Sequence, residues 1–129
     1  MEKKWFNYNR IIDAGISKHA DVQELLLHTD CLVTDYSGIY IDFLLSKKPI
    51  LFIPYDQEEY ESKEGFLYNY NEVTPGKKVF SQEEFLKSID SIFKKNNENS
   101  NELNRVKKLF HKYDTGMSER ILKLIGYNS

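Results

Sequence analysis

The stretch Cys31-Leu32-Val33-Thr34-Asp35-Tyr36-Ser37-Gly38, followed by Ile39 to Lys48 and then Pro49-Ile50-Leu51-Phe52-Ile53-Pro54, decides the fold. It contains two short apolar runs, Cys31 to Thr34 and Ile50 to Ile53. Strands buried on both faces of a parallel sheet read as continuous apolar runs rather than alternations. Between them, Ile39, Ile41, Phe43, Leu44 and Leu45 fit a helix that starts near Gly38 and finishes near Ser46-Lys47-Lys48. Pro49 opens the second strand where no backbone donor is needed, and Pro54-Tyr55-Asp56 closes it.

Upstream, Asn9 to Ala14 reads as a short strand ending at Gly15. Asp21-Val22-Gln23-Glu24 opens a helix that Asp21 caps and to which Glu24 reaches back, and His28-Thr29-Asp30 ends it. Strand, helix, strand, helix, strand in short spacing predicts parallel pairing with crossover helices. The expected fold is therefore α/β, with a short parallel sheet and flanking helices.

Downstream, residues 57–78 carry Tyr60, Phe66, Tyr68 and Tyr70 among acids and amides. This stretch reads as a long ordered loop with one helical turn at Glu58-Glu59-Tyr60 and a small edge strand at Lys78-Val79-Phe80. Loops of that length without regular structure are usually functional or mobile. Ser81-Gln82-Glu83-Glu84 is a capping box that opens a helical region over 81–126. Phe85, Leu86, Ile89, Ile92 and Phe93 form one face of its first helix. Asn96 to Asn101 breaks it, and two further helices follow, the last over Met117 to Ile125. All 129 residues are expected to form a single domain.

Composition narrows the function classes. Apolar residues make up 40% and charged residues 29%, the ordinary range for a water-soluble domain. A net charge of -2 gives no broad attraction for nucleic acid. Cys31 is the single cysteine, so no internal disulfide exists, and its place in a strand suits a small buried side chain better than a nucleophile. His19, His28 and His111 are scattered without helical metal-ligand spacing, and neither a Walker loop nor a GxGxxG pattern occurs, so no metal and no cofactor is expected. No apolar run reaches bilayer length and the first residues lack a signal-peptide core. A cytoplasmic location is expected, with any membrane association peripheral.

Ligands of open parallel sheets bind beyond the carboxyl ends of the strands, where helices begin. Thr34-Asp35-Tyr36-Ser37-Gly38 is that place here. Free amides at a helix start favour an anion, the Ser37 hydroxyl adds a donor, and Gly38 lets a diphosphate approach. Asp42, one turn on from Gly38, suits ribose hydroxyls. The plain alternative is that Asp35 or Ser37 only caps the helix. Tyr55-Asp56 follows the next strand on the same rim, although aspartates at strand ends are commonly turn formers. Gly65-Phe66 reads either as a lid over the ligand or as packing of the loop. Asp114, Gly116 and Ser118 read as a further rim contact or as a turn, and Arg120 as a phosphate ligand or an ion pair.

These motifs, in order, resemble the CDP-glycerol glycerophosphotransferase family of teichoic-acid biosynthesis. The resemblance runs from Asp21 to Leu26 and through Thr29 to Gly38, Asp42-Phe43, Lys48-Pro49-Ile50 and Pro54-Tyr55-Asp56. It continues through Tyr60, Gly65-Phe66, Pro75-Gly76 and Asp114 to Ile121. It implies a GT-B-like architecture of two Rossmann-like domains facing a cleft, with this chain as the C-terminal part of the donor-binding domain. CDP-glycerol or a related nucleotide donor is the implied partner. A wall-polymer acceptor and a catalytic histidine are implied to be held by a domain this chain lacks, so no catalytic residue is expected here. Location at the inner face of the membrane follows, as does self-association or a partner chain over the exposed surface. The family's Ser-Ser is Ser37-Gly38 here, one hydroxyl fewer, and its Asp-Gly is Asp114-Thr115-Gly116. A non-catalytic interaction module, or a transferase for another nucleotide-activated sugar in capsule synthesis, are the alternatives.

Overall fold

The computed structural model describes residues 10–15, 21–94, 100–113 and 115–127. Helix α1, Val22–Leu27, begins where Asp21 Oδ1 accepts the Gln23 N–H at 2.9 Å. It ends where the Thr29 hydroxyl donates to the Leu25 carbonyl at 2.8 Å. Strand β1, Leu32–Thr34, follows, then α2, Ile39–Phe43, which tightens into a 3-10 turn at Leu44–Ser46. Lys47, in the left-handed region at φ 57°, reverses the chain into β2, Ile50–Phe52.

All three residues of β2 are buried. That burial explains their unbroken apolar run: the strand is central and both of its faces are covered. The sheet order is β1-β2-β3, with Leu32 opposite Ile50, Thr34 opposite Phe52 and Phe52 opposite Lys78, all parallel. Strand β3 is Lys77–Lys78, slightly earlier than the expected Lys78 to Phe80. The Val79 N–H still reaches the Phe52 carbonyl at 2.9 Å. A short open parallel sheet with flanking helices is the expected α/β class.

Two expectations are corrected. Arg10 to Ala14 form no strand: Ile11 and Ile12 are exposed, and the Asp13 side chain turns back onto the Gly15 amide at 3.1 Å. Asn9 lies outside the described residues. The stretch 57–78 is not a structureless loop but carries α3, Gln57–Lys63, and α4, Tyr70–Val73, before β3. No residue of α3 is buried, so it has no apolar stripe to reveal it. Local electrostatics support it instead: Glu58 and Glu59 at the positive end of the helix dipole and a Glu59–Lys63 pair one turn apart. Asn69 caps α4 by accepting the Asn71 N–H at 3.1 Å.

The helical region consists of α5, Gln82–Phe93, α6, Ser100–Phe110, and α7, Met117–Leu124. Ser81 Oγ accepts the Glu84 N–H at 3.2 Å, and Glu84 reaches back to the Phe80 amide at 2.9 Å, one residue beyond the usual box. The expected apolar face of α5 is only partly used, since Leu86 and Phe93 are exposed. The polar break after α5 falls mostly outside the described residues.

The core gathers Leu26, Tyr40, Phe43, Leu44, Ile50, Phe52, Tyr70 and Val106. Tyr40 and Tyr70 both meet the Phe52 ring edge-on, at 5.3 and 6.1 Å between centroids. Helix α6 is tied down by Arg105, which donates to the Glu72 carbonyl, and by His111 Nε2, bonded to the Ile41 carbonyl, each at 2.6 Å. Among the described residues no helix is long and apolar enough to cross a membrane.

Candidate functional site

Parallel pairing brings the carboxyl ends of β1, β2 and β3 to one rim. At the end of β1, the Thr34 carbonyl still accepts the Ile53 N–H at 2.8 Å, so the sheet is intact up to the bend. Asp35 Oδ1 then accepts the Ser37 N–H at 3.1 Å, and Ser37 Oγ lies 3.5 Å from the Ile39 N–H. Two of the amides expected to face an anion are thus already engaged. The Gly38 amide makes no hydrogen bond with a described residue. Ser37 and Gly38 are exposed, and a Cβ placed on Gly38 would meet nothing within 4 Å. Asp42 is exposed on α2, one turn beyond Gly38.

At the end of β2, Tyr55 is 75% exposed and Asp56 half-buried. The Asp56 N–H donates to Tyr36 Oη at 3.3 Å, and the buried Asp56 Oδ1 has no hydrogen-bond partner among the described residues. Tyr55 and Asp56 border an open concavity shared with Glu58, Glu59, Glu61 and Phe80. Its carboxylates oppose an anion, so the β1 side of the rim is the better place for a phosphate.

Four rings close the space between these two strand ends. Tyr36 stacks on Tyr60 at 4.3 Å, Tyr60 on Phe66 at 5.2 Å, and Phe66 on Tyr70 at 5.2 Å. Gly65, at φ 73°, lets the chain leave α3 so that Phe66 can enter this stack. Phe66 is therefore a packed ring in the structure rather than an open lid. The Tyr70 hydroxyl donates to the Asp35 carbonyl at 3.2 Å. The sequence signals for these tyrosines are the place of Tyr36 and Tyr60 within the family-like motifs and the density of aromatics after Asp56; neither singles out the stack.

The C-terminal candidates lie apart. Gly116, at φ 69°, precedes α7, every residue of which is exposed. The Arg120 guanidinium lies over the Tyr113 ring at 3.8 Å. No hydrogen bond or ring contact joins Ser118 or Arg120 to the Ser37 bend among the described residues. Asp114 lies outside them. Among the described residues no cluster of three His, Cys, Asp or Glu side chains is arranged for a metal ion. Burial raises the Cys31 thiol above its ordinary pKa, which disfavours the thiolate.

The same burial acts on the rim tyrosines. It pushes the Tyr36 phenol up to about 12, helped by the nearby Asp56 carboxylate and opposed by the Asp56 N–H, and it also raises Tyr70. The unfolded chain ionises these phenols first, so the folded state holds more protons above pH ~10 and stability falls as pH rises. That contribution is intact below the unfolded pKa of about 10 and is lost between there and about 12, at most on the order of 2 kcal/mol for Tyr36 after solvent screening. Denaturant midpoints from pH 8 to 12 are expected to drop in that window, and less steeply in Tyr36→Phe. Equal slopes for the two proteins would refute this assignment.

Comparison with known proteins fits this geometry to a family. The model of "CDP-Glycerol:Poly(glycerophosphate) glycerophosphotransferase" matches residues 6–127. The teichoic acid glycerol-phosphate primase of Bacillus subtilis is 32% identical over 77% of the chain and 25% of its own length. The teichoic acid glycerol-phosphate transferase of Staphylococcus aureus is 31% identical over 85% of the chain and 29% of its own length. A structure of the wall teichoic acid polymerase TagF superposes with a TM-score of 0.72 and 31% identity, covering 87% of this chain and 28% of that one. The chain thus spans less than a third of the length of each of these relatives.

Proposed function

The chain belongs to the CDP-glycerol:poly(glycerophosphate) glycerophosphotransferase family, and from that premise we propose that it forms the donor-nucleotide side of such a transferase. The observation that carries this reading is the bend at Ser37-Gly38. It lies at the carboxyl end of a parallel strand, is exposed, has a Gly38 amide with no hydrogen-bond partner among the described residues and has open space above that residue.

In the proposed reaction an acceptor hydroxyl attacks the β-phosphorus of CDP-glycerol. The bond from that phosphorus to the bridging oxygen breaks, glycerol phosphate is transferred and CMP leaves. Negative charge grows on the leaving phosphate, and donors already aimed at it lower the barrier. Ser37 Oγ lies near the Ile39 N–H as an acceptor, which leaves its own proton free to donate, and the Gly38 amide supplies a second donor. Asp42 holds the ribose hydroxyls, and Asp35 fixes the bend rather than touching phosphate. Arg120 joins the phosphate only if its guanidinium leaves the Tyr113 ring. In this proposal the acceptor is a wall polymer, and neither its binding nor the group that takes its proton is assigned to residues of this chain.

Calorimetric titration of the purified chain with CDP-glycerol, CMP, UDP and a UDP-sugar tests the reading. Saturable binding of the cytidine compounds alone is expected, without turnover of CDP-glycerol. Ser37→Ala removes one charge-assisted hydrogen bond, about 1.5–3 kcal/mol, and is expected to weaken CDP-glycerol at least tenfold. Preference for the UDP-sugar would transfer the chain to capsule-type chemistry, and no binding of any nucleotide would leave it an interaction module.

A further inference from the structure

We infer that Tyr36 and Tyr70 are positioning residues for the phosphate-facing bend, holding Asp35 to Gly38 in place without touching the donor; this rests on the proposed donor site. The bend needs outside support. It leads into a helix of only five residues, α2, too short to fix its own first turn by cooperative hydrogen bonding. Two adjacent residues just before Ser37, one by its carbonyl and one by its side chain, are instead held from the far side of the rim. The Tyr70 hydroxyl anchors the oxygen of the Asp35 peptide at 3.2 Å. The next side chain, Tyr36, enters the aromatic stack at 4.3 Å from Tyr60 and receives the Asp56 N–H at 3.3 Å.

The connection is continuous. Asp35, held at its carbonyl by Tyr70, uses its carboxylate to engage the Ser37 amide at 3.1 Å. That leaves the Ser37 hydroxyl and Gly38 amide as the outward pair. Tyr70 is itself fixed, being 5% exposed and packed against Phe52 and Phe66. Without its hydroxyl the Asp35 carbonyl loses a partner in a half-buried place, where an unmet acceptor is costly. The Asp35–Tyr36 peptide can then rotate toward water and carry the Ser37 and Gly38 donors off their line. The stack also joins Tyr60 of α3 and Tyr70 of α4 to Tyr36 of the donor bend.

Tyr70→Phe and Tyr36→Phe test this, because each keeps the ring and removes only the hydroxyl. The chain and both variants are titrated with CDP-glycerol and with cytidine, which lacks the diphosphate. Ser37→Ala serves as the probe of the donor site, and Val106→Ala, a core substitution in α6 outside the ring stack, as a control for general destabilisation. The expected result is an approximately tenfold weaker CDP-glycerol affinity in each tyrosine variant, a change under twofold for cytidine, and neither effect in Val106→Ala at equal loss of thermal stability. If Ser37→Ala weakens CDP-glycerol while the tyrosine variants only follow the control, the positioning role is overturned and the donor site stands. If the tyrosine variants weaken both ligands equally, the role is general packing and the inference is wrong. If Ser37→Ala changes nothing, the donor site fails and this inference falls with it.

Discussion

Replacing Gly76 by alanine is expected to destabilise the protein by about 3 kcal/mol or more, and to lower its melting temperature by about 10–20 °C. A Cβ at this position would fall well inside contact distance of the Ile50 carbonyl oxygen, and 3.2 Å from both the Ile50 carbonyl carbon and Phe52 Cε2. The obstacle is the backbone of the central strand, not the end of a flexible side chain. Gly76 leads into β3, so the added methyl must push β3 away from β2 and weaken the pairing of Leu51 with Lys77 and Phe52 with Lys78. Thermal and urea melts of Gly76→Ala beside the parent chain measure the effect. A change below about 1 kcal/mol would show that β2 and β3 do not approach so closely.

Gly38→Asp is expected to do the reverse, leaving the fold intact while lowering CDP-glycerol affinity at least a hundredfold. At Gly38 a Cβ meets nothing within 4 Å, and its backbone, at φ -67°, suits any residue. Asp is also a favourable residue at a helix cap. Its carboxylate, however, would occupy the space assigned to the donor phosphate. Two like charges at about 4 Å repel by about 1 kcal/mol in water and about 4 kcal/mol in the effective dielectric near a protein surface. Loss of the access that a phosphate needs adds to that. Calorimetry and a thermal melt on the same sample separate the two effects. Parental affinity in a folded Gly38→Asp would move the donor away from this bend. The two glycines therefore report on different things: one on how the sheet closes, the other on what the sheet presents.

Much of this architecture can be read from local pattern. Ile50 to Phe52 appears as a strand because a strand covered on both faces has no polar face to show, whereas Leu32 to Thr34 carries a similar apolar run at the sheet edge with Val33 exposed. The caps at Asp21 and Ser81 are visible because each depends on a side chain within three residues of the amide it meets. Of helix α3 only the turn at Glu58-Glu59-Tyr60 was legible, because the helix buries no residue and periodicity, which records burial, had nothing more to record. Ile11 and Ile12 misled in the opposite way. They have strand-like side chains, yet a strand exists only where a neighbour supplies its hydrogen bonds, and both residues are exposed.

The candidate site divides along the same line. Thr34, Asp35, Ser37, Gly38 and Asp42 are close in sequence, so strand, bend and helix bring them to the rim by local geometry alone. Order of residues was also enough to establish the α/β class and the family pattern. Only the tertiary structure joined Tyr36, Tyr60, Phe66 and Tyr70 into one stack, and linked Tyr70 to Asp35 across 35 positions of chain. It also turned Arg120 onto Tyr113 and set Gly76 against Ile50. The physical reason is range. Capping, turn formation and burial patterning act over a few residues and leave their mark in sequence order, whereas ring stacking and backbone approach depend on distances that exist only once the sheet has brought remote segments together.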